Sequence, residues 1–192
     1  MNRRQLFTAG AALGGAALIT RSLVMADNAG THPAKMTSEE ASMKKVANHT
    51  TSGDFPAVKK TKAEWKQRLE FDRYRVLFEE DTERAGTSAL NYEKRDGTFV
   101  CAACNLPLFK SGFKYESGTG WPSFFDKIDG SLGTKEDRKL WMTRTEYHCA
   151  RCGGHQGHIF TDGPQPTGLR YCNNGLALNF VPVTEALPEL VV

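Results

Sequence analysis

Cys101-Ala102-Ala103-Cys104 and Cys149-Ala150-Arg151-Cys152 repeat one pattern, with positions 105–148 between them. Two residues between cysteines allow a tight turn that aims both sulfurs at one point. Two such turns offer four sulfurs at roughly 2.3 Å from a shared centre, the tetrahedral set that suits zinc. Turn-forming residues follow each pair: Asn105 after the first, Gly153 and Gly154 after the second. Four sulfurs leave no open position, so such a metal would be structural. Two other uses of the pairs stay open. Redox C-x-x-C chemistry of the thioredoxin type favours a helix N-terminus after a strand, a context neither pair has. Structural disulfides are favoured if the protein leaves the cytoplasm.

Outward from the cysteines the chain reads as β-structure. Residues 97–101, 139–144, 146–149, 157–160 and 177–181 are short, β-prone and bounded by Gly, Asp, Asn or Pro. There is no Gly-rich phosphate loop and no alternation of strands with helices. The expectation is a mainly β domain, antiparallel, with a small helical cap at its N-terminal side. The cap begins at Thr61, three residues before Glu64, a capping-box signature. Trp65, Leu69, Tyr74, Leu77 and Phe78 recur at helical spacing, which predicts helices over 62–69 and 72–80 with these side chains in the core.

The 192 residues include five cysteines, so one thiol is left over however the others pair. It is Cys172, in Gly168-Leu169-Arg170-Tyr171-Cys172-Asn173-Asn174. Upstream lies His155-Gln156-Gly157-His158-Ile159-Phe160-Thr161-Asp162. A cysteine becomes a nucleophile when nearby positive charge stabilises its thiolate, and Arg170, His155 and His158 are the candidates to supply it. Positions 155 and 158 face opposite sides of a regular strand, and a bulge or turn would bring them together.

Lys and Arg number 25 against 22 Asp and Glu, a formal net charge of +3. The excess sits at the start. Met1-Asn2-Arg3-Arg4-Gln5-Leu6-Phe7 precedes a weakly apolar Ala- and Gly-rich run that ends near Val24-Met25-Ala26. This is the form of a secretory signal over 1–26, and the paired arginines resemble the bacterial twin-arginine signal. The run is shorter than the roughly 20 residues a membrane anchor needs. Cleavage after Ala26 removes three arginines and no acid, leaving 22 of each sign. A neutral mature chain gives no electrostatic case for nucleic acid. Residues 27–58 read as a polar tether and 185–192 as a tail.

The motifs together resemble the methionine-R-sulfoxide reductases of the B type. The likeness rests on 98–104, on Ser117-Gly118-Thr119-Gly120-Trp121-Pro122-Ser123-Phe124, on 149–153, on 155–158 and on 168–172, over a domain of about 59–184. It implies two antiparallel sheets in a tent-like fold, one structural zinc on Cys101, Cys104, Cys149 and Cys152, and a monomer. It implies reduction of methionine (R)-sulfoxide, mainly in oxidised proteins, with a thioredoxin-like thiol donor. Cys172 would attack the sulfoxide sulfur, with His155 and His158 supplying protons and Asn174 hydrogen-bonding in the same pocket. Trp121 would wall the S-methyl group, and Arg170 and Asp162 would hold the thiolate and histidines in place. Many relatives of that family resolve the sulfenic acid with a second cysteine, where this chain has Thr119. Asn173 and Gly175 also depart from the usual aliphatic residue and Ser. Competing readings are a zinc-stabilised binding module without catalysis and an exported thiol–disulfide oxidoreductase.

Overall fold

The computed structural model describes residues 55–138 and 143–192. The expected signal (1–26) and nearly all of the tether lie outside the described residues, as do 139–142 of the expected strand at 139–144.

Helix α1 spans Lys62–Arg68 and α2 spans Phe71–Glu79. The capping box forms: Glu64 N–H donates to Thr61 Oγ1 at 3.3 Å, and Thr61 N–H donates to Glu64 Oε2 at 2.7 Å. Helix α2 stops because Glu80 turns into the left-handed region, φ 56°. Trp65 stacks on Phe78 at 5.3 Å, and Trp65, Tyr74, Leu77 and Phe78 are buried as their spacing predicts.

Nine strands follow among the described residues: β1 Gly97–Cys101, β2 Pro107–Lys110, β3 Lys114–Tyr115, β4 Ser123–Phe124, β5 Leu132–Asp137, β6 Arg144–Cys149, β7 His155–Phe160, β8 Arg170–Asn173 and β9 Leu178–Pro182. They make a three-stranded sheet, β2-β1-β9, and a six-stranded sheet, β3-β4-β8-β7-β6-β5, with every pairing antiparallel. Aromatic rings join the two sheets. Phe109 of β2 stacks on Phe124 of β4 at 4.1 Å, Phe99 of β1 meets Phe124 edge-on at 4.9 Å, and Phe109 meets Tyr147 of β6 edge-on at 6.2 Å. Tyr147 is wholly buried and donates to Asn173 Oδ1 at 2.7 Å. That bond explains how Asn173 replaces an aliphatic residue behind the nucleophile: its amide is satisfied in the core.

Two expectations need revising. The stretches 139–144 and 146–149 read as separate strands, yet Arg144–Cys149 is one strand. Strands β2, β3, β4, β5 and β8 are not among those the sequence predicts. Leu-Gly-Thr-Lys-Glu-Asp at 132–137 is mostly polar and exposed, and is extended because it pairs residue for residue with β6.

Both cysteine turns are hairpin loops of the same build. Asn105 N–H donates to Cys101 C=O and Cys101 N–H to Leu106 C=O, at 2.9 and 2.8 Å. Gly153 N–H donates to Cys149 C=O and Cys149 N–H to Gly154 C=O, both at 2.9 Å. Asn105 (φ 63°) and Gly153 (φ 72°) take the left-handed position that closes each turn. One loop joins β1 to β2, the other β6 to β7. The tail then folds onto both: Val191 N–H donates to Cys104 C=O at 3.2 Å, and Arg151 Nη1 donates to Val191 C=O.

Candidate active site and metal centre

The hairpin loops bring Cys101, Cys104, Cys149 and Cys152 together, with all four sulfurs within 4.8 Å of one another. Cys101 and Cys152 are 3.6 Å apart, and Cys104 and Cys149 are 3.5 Å apart. A tetrahedron with arms of about 2.3 Å has edges of about 3.8 Å. The donor set therefore has nearly the size and the chemistry of a metal cage. All five cysteines are free thiols, and neither pair caps a helix. Hydrogen bonds among the sulfurs drive the Cys104 thiol down and the Cys152 thiol up. A dication is what would let all four shed their protons.

Cys172 lies on β8, and the register places a row of side chains across the six-stranded sheet. Tyr115 is opposite Ser123, Ser123 opposite Cys172, Cys172 opposite His158, His158 opposite Glu146, and Glu146 opposite Lys135. Residues opposite one another share a face. Arg170, two residues before Cys172, shares that face too. The bulge that sequence periodicity required is present. Tyr147 pairs with Gly157 and His148 with His155, so Gln156 is an extra residue on β7. It cancels the odd spacing, and the His155 and His158 rings stand 5.5 Å apart on one side.

Asn174 pins this bulge. Its backbone N–H and its Nδ2 both donate to Gln156 C=O, at 2.8 and 3.0 Å, while its Oδ1 accepts from Glu83 N–H at 3.1 Å. Asn174 is buried, and both ends of its amide take part in this role. Gly157 lets β7 approach β8: a Cβ there would lie 1.9 Å from Cys172 C=O. Gly175, the other departure, makes room for Ser88 Oγ, and Glu83 Oε1 accepts its N–H at 2.7 Å. Trp121 is half-buried, with its indole N–H donating to Glu83 C=O at 3.1 Å. The ring is thereby fixed beside the strand that pairs with the nucleophile.

The electrostatics are mixed around the thiol. Burial pushes the Cys172 thiol above its ordinary value, while the Arg170 charge and the polar Thr119 side chain pull the other way. Arg170 is itself held in a two-point pair with Asp162, at 2.8 and 2.9 Å, and lies over the Phe160 ring at 4.2 Å. Thr119 belongs to a hydroxyl chain: Ser117 Oγ is 2.9 Å from Thr119 Oγ1 and 2.7 Å from Ser123 Oγ. His158 Nε2 is 2.8 Å from Asp137 Oδ2, which also pairs with Arg144 at 2.7 Å. Burial lowers the His158 pKa despite that carboxylate. His155 Nδ1 is 3.1 Å from Glu146 Oε1, but the contact is not aligned with a ring N–H, so both buried ring nitrogens lack an aligned partner.

The structure thus brings Cys172, His155, His158 and Arg170 to one face, with Trp121 just before β4, Asp162 behind Arg170 and Asn174 beneath the bulge. Sequence reasoning missed Glu146, Asp137, Lys135, Ser117 and Ser123. Single acids and hydroxyls on polar strands carry no spacing signal, and only the register reveals them.

Comparison with known proteins gives a consistent result. The SelR domain matches residues 69–182. A protein of Leptospira interrogans named peptide methionine sulfoxide reductase MsrB is 50% identical over 124 residues, covering 64% of this chain and 95% of that protein. Proteins of the same name from Methanosarcina barkeri and Pseudomonas putida are 50% and 48% identical over 125 and 126 residues, covering 88% and 95% of their lengths and 65% of this chain in both cases.

Proposed function

Because the chain belongs to the methionine-R-sulfoxide reductases of the B type, we propose that it reduces methionine (R)-sulfoxide in oxidised proteins to methionine, and so repairs them. The observation that carries the mechanism is the row that sets Cys172 opposite His158, with His155 bulged onto the same face. The Cys172 thiolate attacks the sulfoxide sulfur. A histidine gives a proton to the sulfoxide oxygen as the sulfur–oxygen bond breaks. The oxygen passes as hydroxyl from the methionine sulfur to the Cys172 sulfur while the transient sulfur–sulfur bond breaks, so methionine leaves, Cys172 becomes a sulfenic acid, and the thiol has supplied the two electrons that reduce the sulfoxide. An external dithiol of the thioredoxin class then reduces the sulfenic acid, releasing water and becoming a disulfide.

The indole of Trp121 suits the S-methyl group, and the histidines suit the oxygen, which together select one epimer. Arg170, steadied by Asp162, supports the thiolate. Asn174 keeps the bulge in place. Cys101, Cys104, Cys149 and Cys152 would hold one zinc, whose role is to tie the two hairpins together. The test is an assay of both epimers of a methionine sulfoxide peptide with dithiothreitol. R-specific loss of oxide is expected, and equal turnover of both epimers, or none, rejects the reading.

Thr119 stands where many relatives resolve the sulfenic acid, and with four cysteines at the metal centre no other thiol is free to do so. The oxidised protein should therefore carry a sulfenic acid on Cys172 and no internal disulfide. Thr119→Cys should create one, because Thr119 stands at the resolving position and belongs to the hydroxyl chain through Ser117 to Ser123, the residue opposite Cys172. Intact-mass measurement after one equivalent of substrate shows a gain of one oxygen in the parent and a loss of two hydrogens in the variant. A disulfide in the parent would defeat the idea.

Export is proposed on the arginine pair and the apolar run alone. The matched relatives are covered almost fully while about a third of this chain is extra, which leaves room for an address segment. The destination would be the bacterial periplasm through the twin-arginine route. N-terminal sequencing of secreted material should find Asp27 first, and retention of Met1 would refute cleavage.

A further inference from the structure

One buried carboxylate takes no part in the steps above. Glu146 is 2% exposed and stands next to His158 in the cross-strand row. Its Oε1 is 3.1 Å from His155 Nδ1, and its Oε2 is 2.9 Å from Lys135 Nζ. Lys135 reaches on to Glu80 at 2.5 Å near the surface. Burial alone would raise the Glu146 carboxyl, but His155 and Lys135 outweigh it, and the group sits below its ordinary value. An ionised carboxylate in such a place costs several kcal/mol before its partners compensate, and an apolar pair would hold the strands as well.

The position has a chemical consequence. With Nδ1 turned to Glu146, the nitrogen of His155 left for a ligand is Nε2. That atom is buried and has no hydrogen-bond partner, whereas Nδ1 has the Glu146 carboxylate beside it as an ion-pair contact that is not an aligned hydrogen bond. A carboxylate at one ring nitrogen fixes the ring and stabilises the imidazolium from which the other nitrogen gives its proton. We propose that Glu146 is a positioning residue for sulfoxide reduction: it orients His155 so that Nε2 faces the sulfoxide oxygen, and Lys135 holds Glu146 in place. The proposal rests on His155 as a proton donor. The titratable groups against His155 are Glu146 and His148 on β6 and His158 on β7, with Lys135 on β5 and Glu80 just after α2 reaching it through Glu146, and Cys172 on β8 reaching it through His158. Among them Glu146 is the nearest acid, with His148 Nδ1 a further 3.9 Å from the same Oε1.

The test is the pH profile of kcat for full-length protein and its Glu146→Gln, Glu146→Asp, His155→Gln and doubly substituted variants, with R-sulfoxide peptide and dithiothreitol. Loss of the anion weakens the hold on the proton, so the alkaline fall in kcat of Glu146→Gln should begin about one pH unit lower. At pH 8 kcat should drop roughly tenfold, with KM within a factor of two. Glu146→Asp keeps the charge and should keep the limb in place. In the His155→Gln background, Glu146→Gln should have no further effect. The limb's position does not depend on how much protein is folded, so a loss of stability leaves the readout intact. If His155→Gln is fully active, the proton-donor reading itself fails. If it is impaired while Glu146→Gln leaves the limb in place, or lowers kcat equally in both backgrounds, only the role of Glu146 is overturned.

Discussion

Cys172→Ser should abolish reduction of methionine (R)-sulfoxide, by about 10³-fold or more in kcat/KM, while the protein melts within a few degrees of the parent. The exchange replaces sulfur by oxygen in a half-buried side chain that makes no core contact of its own, so the fold has little to lose. The chemistry has everything to lose. A thiolate is a strong nucleophile that can take up an oxygen atom and give it back. An alcohol at the same point is neither ionised nor oxidisable in that way. The pH dependence follows from the surroundings. Burial raises the Cys172 thiol, and Arg170 and Thr119 recover part of that shift. Only the thiolate attacks, so the rate of alkylation by iodoacetamide should climb with pH through a midpoint above that of an ordinary cysteine. Arg170→Met should move the midpoint higher still. Reduction that survives Cys172→Ser, measured on both epimers, would remove this residue from the mechanism.

Removal of the zinc proposed for the four-cysteine cluster should unfold the β domain. Structural zinc on four sulfurs is worth about 10–16 kcal/mol in small peptides at neutral pH, whereas a whole domain is stable by only about 5–15 kcal/mol. The larger number wins. The reason is visible in the connectivity. Cys101 and Cys104 belong to the β1–β2 loop of one sheet, and Cys149 and Cys152 to the β6–β7 loop of the other. Three of the sulfurs sit within the hydrophobic core cluster and Cys152 packs against it, where burial disfavours thiolates unless a cation compensates them. Cys101→Ser should lower the apparent melting temperature by roughly 15 °C or more and leave the purified protein short of zinc. Metal analysis beside a thermal melt checks both. Full zinc content with an unchanged melt would show that the cluster is not a metal centre.

The two knuckles also show how local sequence and fold cooperate. Asn105 and Gly153 mark the same step of the same turn, and the turn could be read directly from the residues after each pair. The strand that carries the nucleophile could not. Arg170–Asn173 is short, has a cysteine at its centre and gains its strand character from Gly157 on one side and β4 on the other. The bulge at Gln156 was foreseeable only as a requirement: two histidines three residues apart need it if they are to act together. Its position depends on Asn174, eighteen residues away, and on pairing with β6.

What the sequence determined by itself was the chemical inventory. Four cysteines in two identical turns, a fifth without a partner, two histidines and no sixth thiol follow from counting and spacing. So does the helical cap, because a capping box and a 3.6-residue period are local properties. What only the tertiary structure decided is which side chains share a face with Cys172. Glu146, Asp137, Lys135, Ser117 and Ser123 come from four segments spread between 117 and 146; the two serines lie in a motif quoted for Trp121 and Thr119, but nothing in the sequence assigns any of the five to the face of Cys172. Cross-strand register is set by long-range pairing and by a single bulge, and a shift of one residue would turn every one of these side chains to the other side of the sheet.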